Sequence, residues 1–469
     1  MPTTDIKQKF LKASLWSSFA AYFFFTFNFF CQWIFSHLLS PTQFGVFAFG
    51  IAVREVIGMF CVIAMPGGYI KSAGNESDFA AYMVLTWCAT AAQVLISAIV
   101  ALYYVFYQHD IQIALVIILL AFSQGFILMG YVYMATLERK LEYKSISLLQ
   151  GGATLFSGLI AIFLAYYFHT VLALVVRDLL GAAIVLTLLY RKTKFRLYFK
   201  CDLRLLKTQL IFGVKCAFAR MAEVSYYRIP ELLISFFLSK TFLGYFYQGR
   251  YLAYFPIKLF QPFTNSVLFS YLAHHKDEPL QLQNQFWWIN YVVIRALLPI
   301  CGVIYLFGAK LLVLLYGGKW LIAGECFSYF SIFILAGVLF MIVTNMANLL
   351  GKQSHIVQSY VIALLIFLVS IIKLHNIVDL AFIFSAAYLI AVFYVTACLL
   401  TKNIISSLLS LYYPIIAFFV AFGMCDYGQA SIYIRTLVFF VLLATLYLIE
   451  RKNIVRLLRQ FHLRKLLWC

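Results

Sequence analysis

Six arginines, Arg54, Arg177, Arg220, Arg228, Arg250 and Arg295, lie within long apolar runs, and Glu223 and Glu231 share one run with two of them. A charge carried to bilayer depth costs at least about 3 kcal/mol, so such side chains turn toward one another, toward a wet cavity or toward a polar ligand. Guanidinium suits a diphosphate, because its planar fork donates two parallel hydrogen bonds and stays charged at any relevant pH. Arg54, Arg228 and Arg250 each fall about ten residues from the same side of their runs, a common depth of about 15 Å at 1.5 Å per residue. Arginines at one depth on separate helices are what a shared anion-receiving chamber requires.

The run that holds Arg220, Glu223, Tyr227 and Glu231 sets them along one helical face, with Arg228 turned about 80° from Arg220, toward a neighbouring helix. Arg220 and Glu223 read either as a neutralised pair or as ligand contacts. The next run adds Arg250, Tyr254, Lys258, Gln261 and Asn265, and an early run offers Asn28 and Gln32 one turn apart. The expected binding set is therefore Arg54, Arg250, Arg220, Arg228, Lys258, Asn28 and Gln32. Arg177 and Asp178 are chain neighbours expected to pair with groups on other helices, and Arg295 has no acidic partner in its own run; both arginines are secondary cavity candidates. Glu223, Glu231 and Asp178 are the carboxylates available to carry a coupling ion. Lys215 and Arg435 lie near helix ends, where a long side chain reaches the interface.

The elements that must carry these residues follow from composition. Hydrophobic residues make up 64% of the 469 and charged residues 11%, with a mean hydropathy of +0.93. A soluble chain of this size must present a large polar exterior, so lipid covers this one and the fold class is all-α integral membrane. The 36 Lys and Arg against 17 Asp and Glu give a net charge of +19. Most of the basic residues gather in alternate connections and at both ends, with only Lys240, Lys310, Lys319 and Lys373 in the opposite set. That asymmetry places both termini in the cytoplasm, and anionic lipid head groups account for the basic surface better than nucleic acid does. The ten cysteines are scattered without a C-x-x-C pair and read as small apolar fillers, so no metal and no cofactor is expected. The start, MPTTDIKQKFLKASLW, leads into a run too long for a signal peptide and reads as a first helix. The sequon at Asn75-Glu76-Ser77 falls on the cytoplasmic side and is set aside.

Breaks at Pro, Gly and charge clusters divide the chain into about fourteen spans of about 20 residues, each enough to cross a hydrocarbon core of ~30 Å. The first two cover 14–37 and 44–65, the seventh and eighth 208–238 and 241–272, the ninth 286–308 and the last 430–450. The basic segment Arg191 to Lys207 reads as an amphipathic linker between an N-lobe, 1–200, and a C-lobe, 201–401. Each lobe has six helices, both enter the membrane in the same direction, and a central cavity lies between them. Residues 402–450 add two helices, and 451–469 form a basic cytoplasmic tail on the inner leaflet. Pro230, Pro256 and Pro262 mark bends. The outer loops are short, which counts against an enzyme that builds glycans there, and no Walker loop, H-E-x-x-H or catalytic triad is present.

Four segments carry a family resemblance across nearly the whole chain: Leu39-Ser40-Pro41-Thr42-Gln43-Phe44-Gly45; Phe242-Leu243-Gly244-Tyr245-Phe246-Tyr247 with Arg250 and Pro256; Leu315-Tyr316-Gly317-Gly318-Lys319-Trp320; and Asn348-Leu349-Leu350-Gly351-Lys352. In this order they resemble bacterial polysaccharide flippases of the Wzx type, in the superfamily that includes MATE drug exporters and lipid II flippases. The resemblance implies a two-lobed bundle, not an enzyme, in the bacterial inner membrane. It would move an undecaprenyl-diphosphate-linked oligosaccharide for O-antigen, lipopolysaccharide or exopolysaccharide assembly by ion-coupled alternating access, alongside a polymerase and other glycan-assembly proteins. Arg54 and Arg250 lie on the spans where such relatives place cavity charges. Two other readings stand beside it: a MATE-like drug or cation antiporter, and a membrane glycan polymerase.

Overall fold

The computed structural model describes residues 22–61, 76–140, 142–193, 203–275, 278–373, 376–400, 404–427 and 431–466. The expected beginning of the first span, Asn75 and the middle of the basic linker lie outside the described residues. Helices account for nearly all of what is described, with no strand among it. In chain order they are α1 (22–38), α2 (Pro41–Cys61), α3 (Glu76–Phe106), α4 (Ile111–Arg139), α5 (Tyr143–Phe168), α6 (Leu172–Thr193) and α7 (Leu203–Phe237). They continue as α8 (Lys240–Pro262), α9 (Pro279–Tyr316), α10 (Leu321–Leu349), α11 (Gln353–Ile371), α12 (Ile377–Leu399), α13 (Ile404–Tyr427) and α14 (Ile432–Leu466).

Among the described residues, eleven helices are long and apolar enough to cross a membrane. Neither α7 nor α8 is among them, although both are long enough; these two carry Arg220, Glu223, Arg228 and Glu231, and Arg250 and Lys258. Packing shelters Arg228, Glu231 and Arg250, whereas Arg220, Glu223 and Lys258 stay exposed. The extremes of the set are α10, with 83% of its apolar window buried by protein, and α14, with 6%. Large apolar side chains such as Leu314 and Tyr433, 85% and 84% exposed, lie on the outside of the bundle.

Packing sorts the first twelve helices into two groups. In one, α3, α5 and α6 gather around α4, with α2 beside it; in the other, α8, α9, α11 and α12 gather around α10, with α7 against α11. The groups meet where α2 lies along both α7 and α8. The helix α1 also bridges them: Phe24 and Phe27 press on Gly151 and Gly158 of α5, while Phe25 and Phe29 meet Phe255 of α8 with ring centroids 4.3 and 4.9 Å apart. Outside both groups, α13 and α14 rest on α9 and are pinned there by Arg295, whose guanidinium meets Glu450 of α14 at 2.6 Å and donates to the carbonyls of Leu411 and Ser410. Arg295 is thus an anchor for the last two helices, with a partner 155 residues away that its own run gives no hint of.

Several boundaries differ from those read in the sequence. The ninth helix runs Pro279–Tyr316, longer than 286–308, because Pro279 occupies its first turn, where a missing N–H costs nothing. The basic linker ends earlier than Lys207, since Leu203 already opens α7. Past 450, α14 runs on as one helix to Leu466. Of the three prolines, α7 passes Pro230 and α8 passes Pro256 without interruption, whereas Pro262 is followed by a π-helical stretch, Phe263–Leu268. The widened turn exposes a carbonyl at Thr264 that accepts from Asn345 Nδ2 of α10 at 2.9 Å.

At one end of the bundle, three of the four family-like segments converge. An added Cβ on Gly45 of α2 would lie 1.6 Å from the Lys240 carbonyl oxygen, and one on Gly244 of α8 would lie 1.9 Å from that of Pro41. Only glycine lets these two backbones touch. Trp320 from the α9/α10 turn fills the space beside them, donating from Nε1 to the Ser36 carbonyl at 2.9 Å and packing edge-on against Phe44. Lys319 donates to the carbonyls of His37 and Leu39 at 2.8 and 2.9 Å, satisfying the open end of α1. Below this crossing, Gln32 Nε2 donates to Gln248 Oε1 at 2.8 Å, and Gln248 Nε2 donates to Ser36 Oγ at 2.6 Å, all fully buried.

Candidate functional site

Halfway along the same seam the intramembrane charges join into one chain. Arg177 meets Asp178 at 3.3 Å; Asp178 lies 3.8 Å from Arg54; Arg54 meets Glu55 at 3.4 Å. Glu55 crosses to the other helix group, receiving two hydrogen bonds from Arg228, at 2.8 Å from Nε and 3.1 Å from Nη2. Arg228 then meets Glu231 at 2.9 Å, and Glu231 pairs with Arg250. Four guanidiniums alternate with three carboxylates, so the chain carries one net positive charge.

Local packing sets each member. Tyr226 stacks on Phe384 at 4.8 Å and gives its hydroxyl proton to the Phe384 carbonyl, while the Tyr227 hydroxyl meets that of Tyr388 at 3.0 Å. These contacts fix the face of α7 on which Arg228 and Glu231 stand. On α2, Gln93 of α3 donates to the Arg54 carbonyl at 3.0 Å, and on α6 the Asp178 carbonyl accepts from Ser123 at 3.0 Å.

The two ends of the chain differ in tightness. Arg250 is 3% exposed and Glu231 0%; Arg250 also donates to the Tyr227 carbonyl at 3.1 Å, so its donors are committed within the protein. Arg54 and Arg177 instead border a cavity of about 440 Å3 between α1, α2, α4, α5 and α6. Among the described residues their ion-pair contacts are the long ones just given, and Arg54 Nε, although buried, has no hydrogen-bond acceptor there. Asn28, Ser123, Gln150, Thr154 and Asp178 add polar groups to the same wall. The arrangement can hold an anion with hydroxyl-bearing groups attached: two loosely paired guanidiniums for the charge, amides and hydroxyls for the rest.

The structure thus brings together Arg54, Arg177, Asp178 and Asn28 at the cavity, and Arg228, Glu231 and Arg250 along the seam. Gln32 belongs to the buried amide pair with Gln248 and does not line the cavity. Arg220 and Glu223 are both exposed, and among the described residues no ion pair within 4 Å joins them. Lys258 is exposed and forms no ion pair among the described residues. Asp178 pairs with Arg54 on another helix, as expected, at 3.8 Å, and it also pairs with its neighbour Arg177, which was not expected, because both side chains bend into one cavity. Sequence reasoning missed Glu55, Gln150 and Thr154. Glu55 was visible as an acid beside Arg54 in an apolar run; Gln150, Thr154 and Ser157 were visible as a polar stripe at helical spacing on α5.

A family model described as polysaccharide biosynthesis protein matches residues 34–325. The chain belongs to that family. No curated protein matches the sequence. Among solved structures, the chain is similar to the lipid II flippase MurJ in an inward closed conformation, with a TM-score of 0.66 and 14% identity over 93% of this chain and 99% of that one. It is also similar to a point mutant of the MATE transporter VcmN of Vibrio cholerae, at a TM-score of 0.55 and 14% identity over 86% and 99%, and to an inward-facing MATE multidrug transporter, at 0.54 and 10% over 82% and 93%. The polysaccharide biosynthesis protein is accordingly a multi-pass membrane protein with the fold shared by these flippases and transporters.

Proposed function

We propose that this chain is a flippase that carries an undecaprenyl-diphosphate-linked oligosaccharide across the bacterial inner membrane by alternating access, and that it is not an enzyme. The observation that carries the reading is the cavity bordered by Arg54 and Arg177, whose cationic charge exceeds what its carboxylate neutralises. The diphosphate would sit against these two guanidiniums, the first sugars against Asn28, Gln150 and Thr154, and the polyprenyl tail would stay in lipid. Residues 1–200 and 201–401 act as the two lobes whose seam opens and closes, with 402–450 as an accessory pair of helices. Both termini face the cytoplasm, in keeping with the distribution of Lys and Arg. Of the carboxylates expected to carry a coupling ion, Asp178 at the cavity and Glu223 on the exposed face of α7 are reachable, whereas Glu231 is buried. Membership of a polysaccharide biosynthesis family and likeness to a lipid II flippase support the substrate class. A cationic drug would meet net positive charge here, which favours the glycolipid over a drug antiporter.

The test is a deletion strain. Lipid-linked oligosaccharide should accumulate on the cytoplasmic leaflet while the surface glycan disappears, and plasmid-borne wild type should reverse both. Normal export in the deletion, or drug efflux in its place, would overturn the reading.

A further inference from the structure

Within the charge chain, Glu55 is the one carboxylate that touches both helix groups. On its own side it meets Arg54 at 3.4 Å, and across the seam it accepts two hydrogen bonds from Arg228. Every other link in the chain stays within a group: Arg177, Asp178 and Arg54 on α6 and α2, and Arg228, Glu231 and Arg250 on α7 and α8. Separation of the groups at this depth must therefore break Glu55 from Arg228. A second polar contact nearby is soft, Ser225 Oγ to Met59 Sδ at 3.7 Å.

We infer that Glu55 is a positioning residue that couples occupancy of the Arg54 and Arg177 cavity by a phosphate dianion to closure of the seam. The inference rests on the proposed diphosphate site and adds to it the direction of the coupling. An anion seated on Arg54 draws that guanidinium away from Glu55, and its own charge repels the Glu55 carboxylate. Both effects push Glu55 toward Arg228, which stays cationic and uncommitted to the ligand. Arg228 is held for this by Glu231, which is fully buried and immobilised by Arg250. A ligand shifts a conformational equilibrium only through differential free energy with the two states, and here the differential arises at a single shared carboxylate.

The experiment uses the full chain in nanodiscs, in a cysteine-free background with spin labels at Leu148 of α5 and Leu280 of α9, both exposed and both at the end of the bundle away from the glycine crossing. Farnesyl diphosphate is the probe. In the wild type it should bind and raise the ratio of short to long label distances about fivefold or more. Glu55→Gln keeps the shape of the side chain but removes its charge; it should still bind farnesyl diphosphate, since a carboxylate that competes for Arg54 is lost, and show no distance shift. Glu55→Asp should restore part of the shift. A purely structural Glu55 would instead lower folded yield without separating binding from closure, and that result overturns the inference. A shift in Glu55→Gln equal to that of wild type overturns the role of Glu55 and leaves the diphosphate site standing. Failure of wild type to bind the probe overturns both.

Discussion

At the scale of single residues, charge inside apolar sequence is loud, and this is why Arg54, Arg228 and Arg250 were legible as one constellation. Which of them remain available to a ligand was not legible, because availability depends on partners from other helices. The two ends of the chain should respond differently to truncation. Arg54→Ala and Arg177→Ala remove loosely paired cations at a cavity, and glycolipid transport should fall by at least about tenfold, the range expected when a charge-assisted contact worth about 1.5–3 kcal/mol is lost, with membrane abundance unchanged. Arg250→Ala takes from Glu231, 0% exposed, one of its two arginines and leaves Arg228 shared between Glu231 and Glu55, and breaking a buried pair costs up to about 3–5 kcal/mol, so abundance and thermal stability should drop before transport is considered. Immunoblotting beside a transport assay separates the two outcomes. If Arg250→Ala were abundant and inactive while Arg54→Ala were abundant and active, the assignment of roles would be reversed.

At the scale of elements, helix count and order were readable from hydropathy, since each apolar run in the sequence became a helix. What was hidden were features made by contact between helices: the π-helical stretch after Pro262, relieved by Asn345, and the anchoring of α14 through Arg295 and Glu450. The second makes a sharp test. Arg295→Leu should expose α13 and α14 to proteolysis and lower the melting temperature, because it strands Glu450, 5% exposed. Arg295→Leu with Glu450→Leu should be milder than the single change, as removing both members of a buried pair leaves no uncompensated charge. The seam offers another. Thr42 and Thr241 face each other across it with hydroxyls 2.8 Å apart. Thr42→Cys with Thr241→Cys, in a background lacking the exposed Cys88, should form a disulfide that stops transport until reductant is added. Unchanged transport by the oxidised protein, with the crosslink verified by mass, would show that this end of the seam never opens.

At the scale of the whole molecule, the family-like segments that stand apart along the chain turn out to be one place. Leu39 to Gly45, Phe242 to Tyr247 and Leu315 to Trp320 assemble the crossing of α2 and α8 with its tryptophan, and only Asn348 to Lys352 stays remote, closing α10 with Gly351 at a φ of 68°. Their spacing in sequence carried no trace of that meeting, because it is made by long-range packing. The glycine crossing also has a mechanical meaning. Main chain rests on main chain at Gly45 and Gly244. From there α2 extends about 24 Å to Cys61 at 1.5 Å per residue, so it is a lever with its fulcrum at one extremity. While this crossing stays closed, a tilt of about 10° about it would swing the far extremity by about 4 Å, yet barely disturb the backbones where they touch.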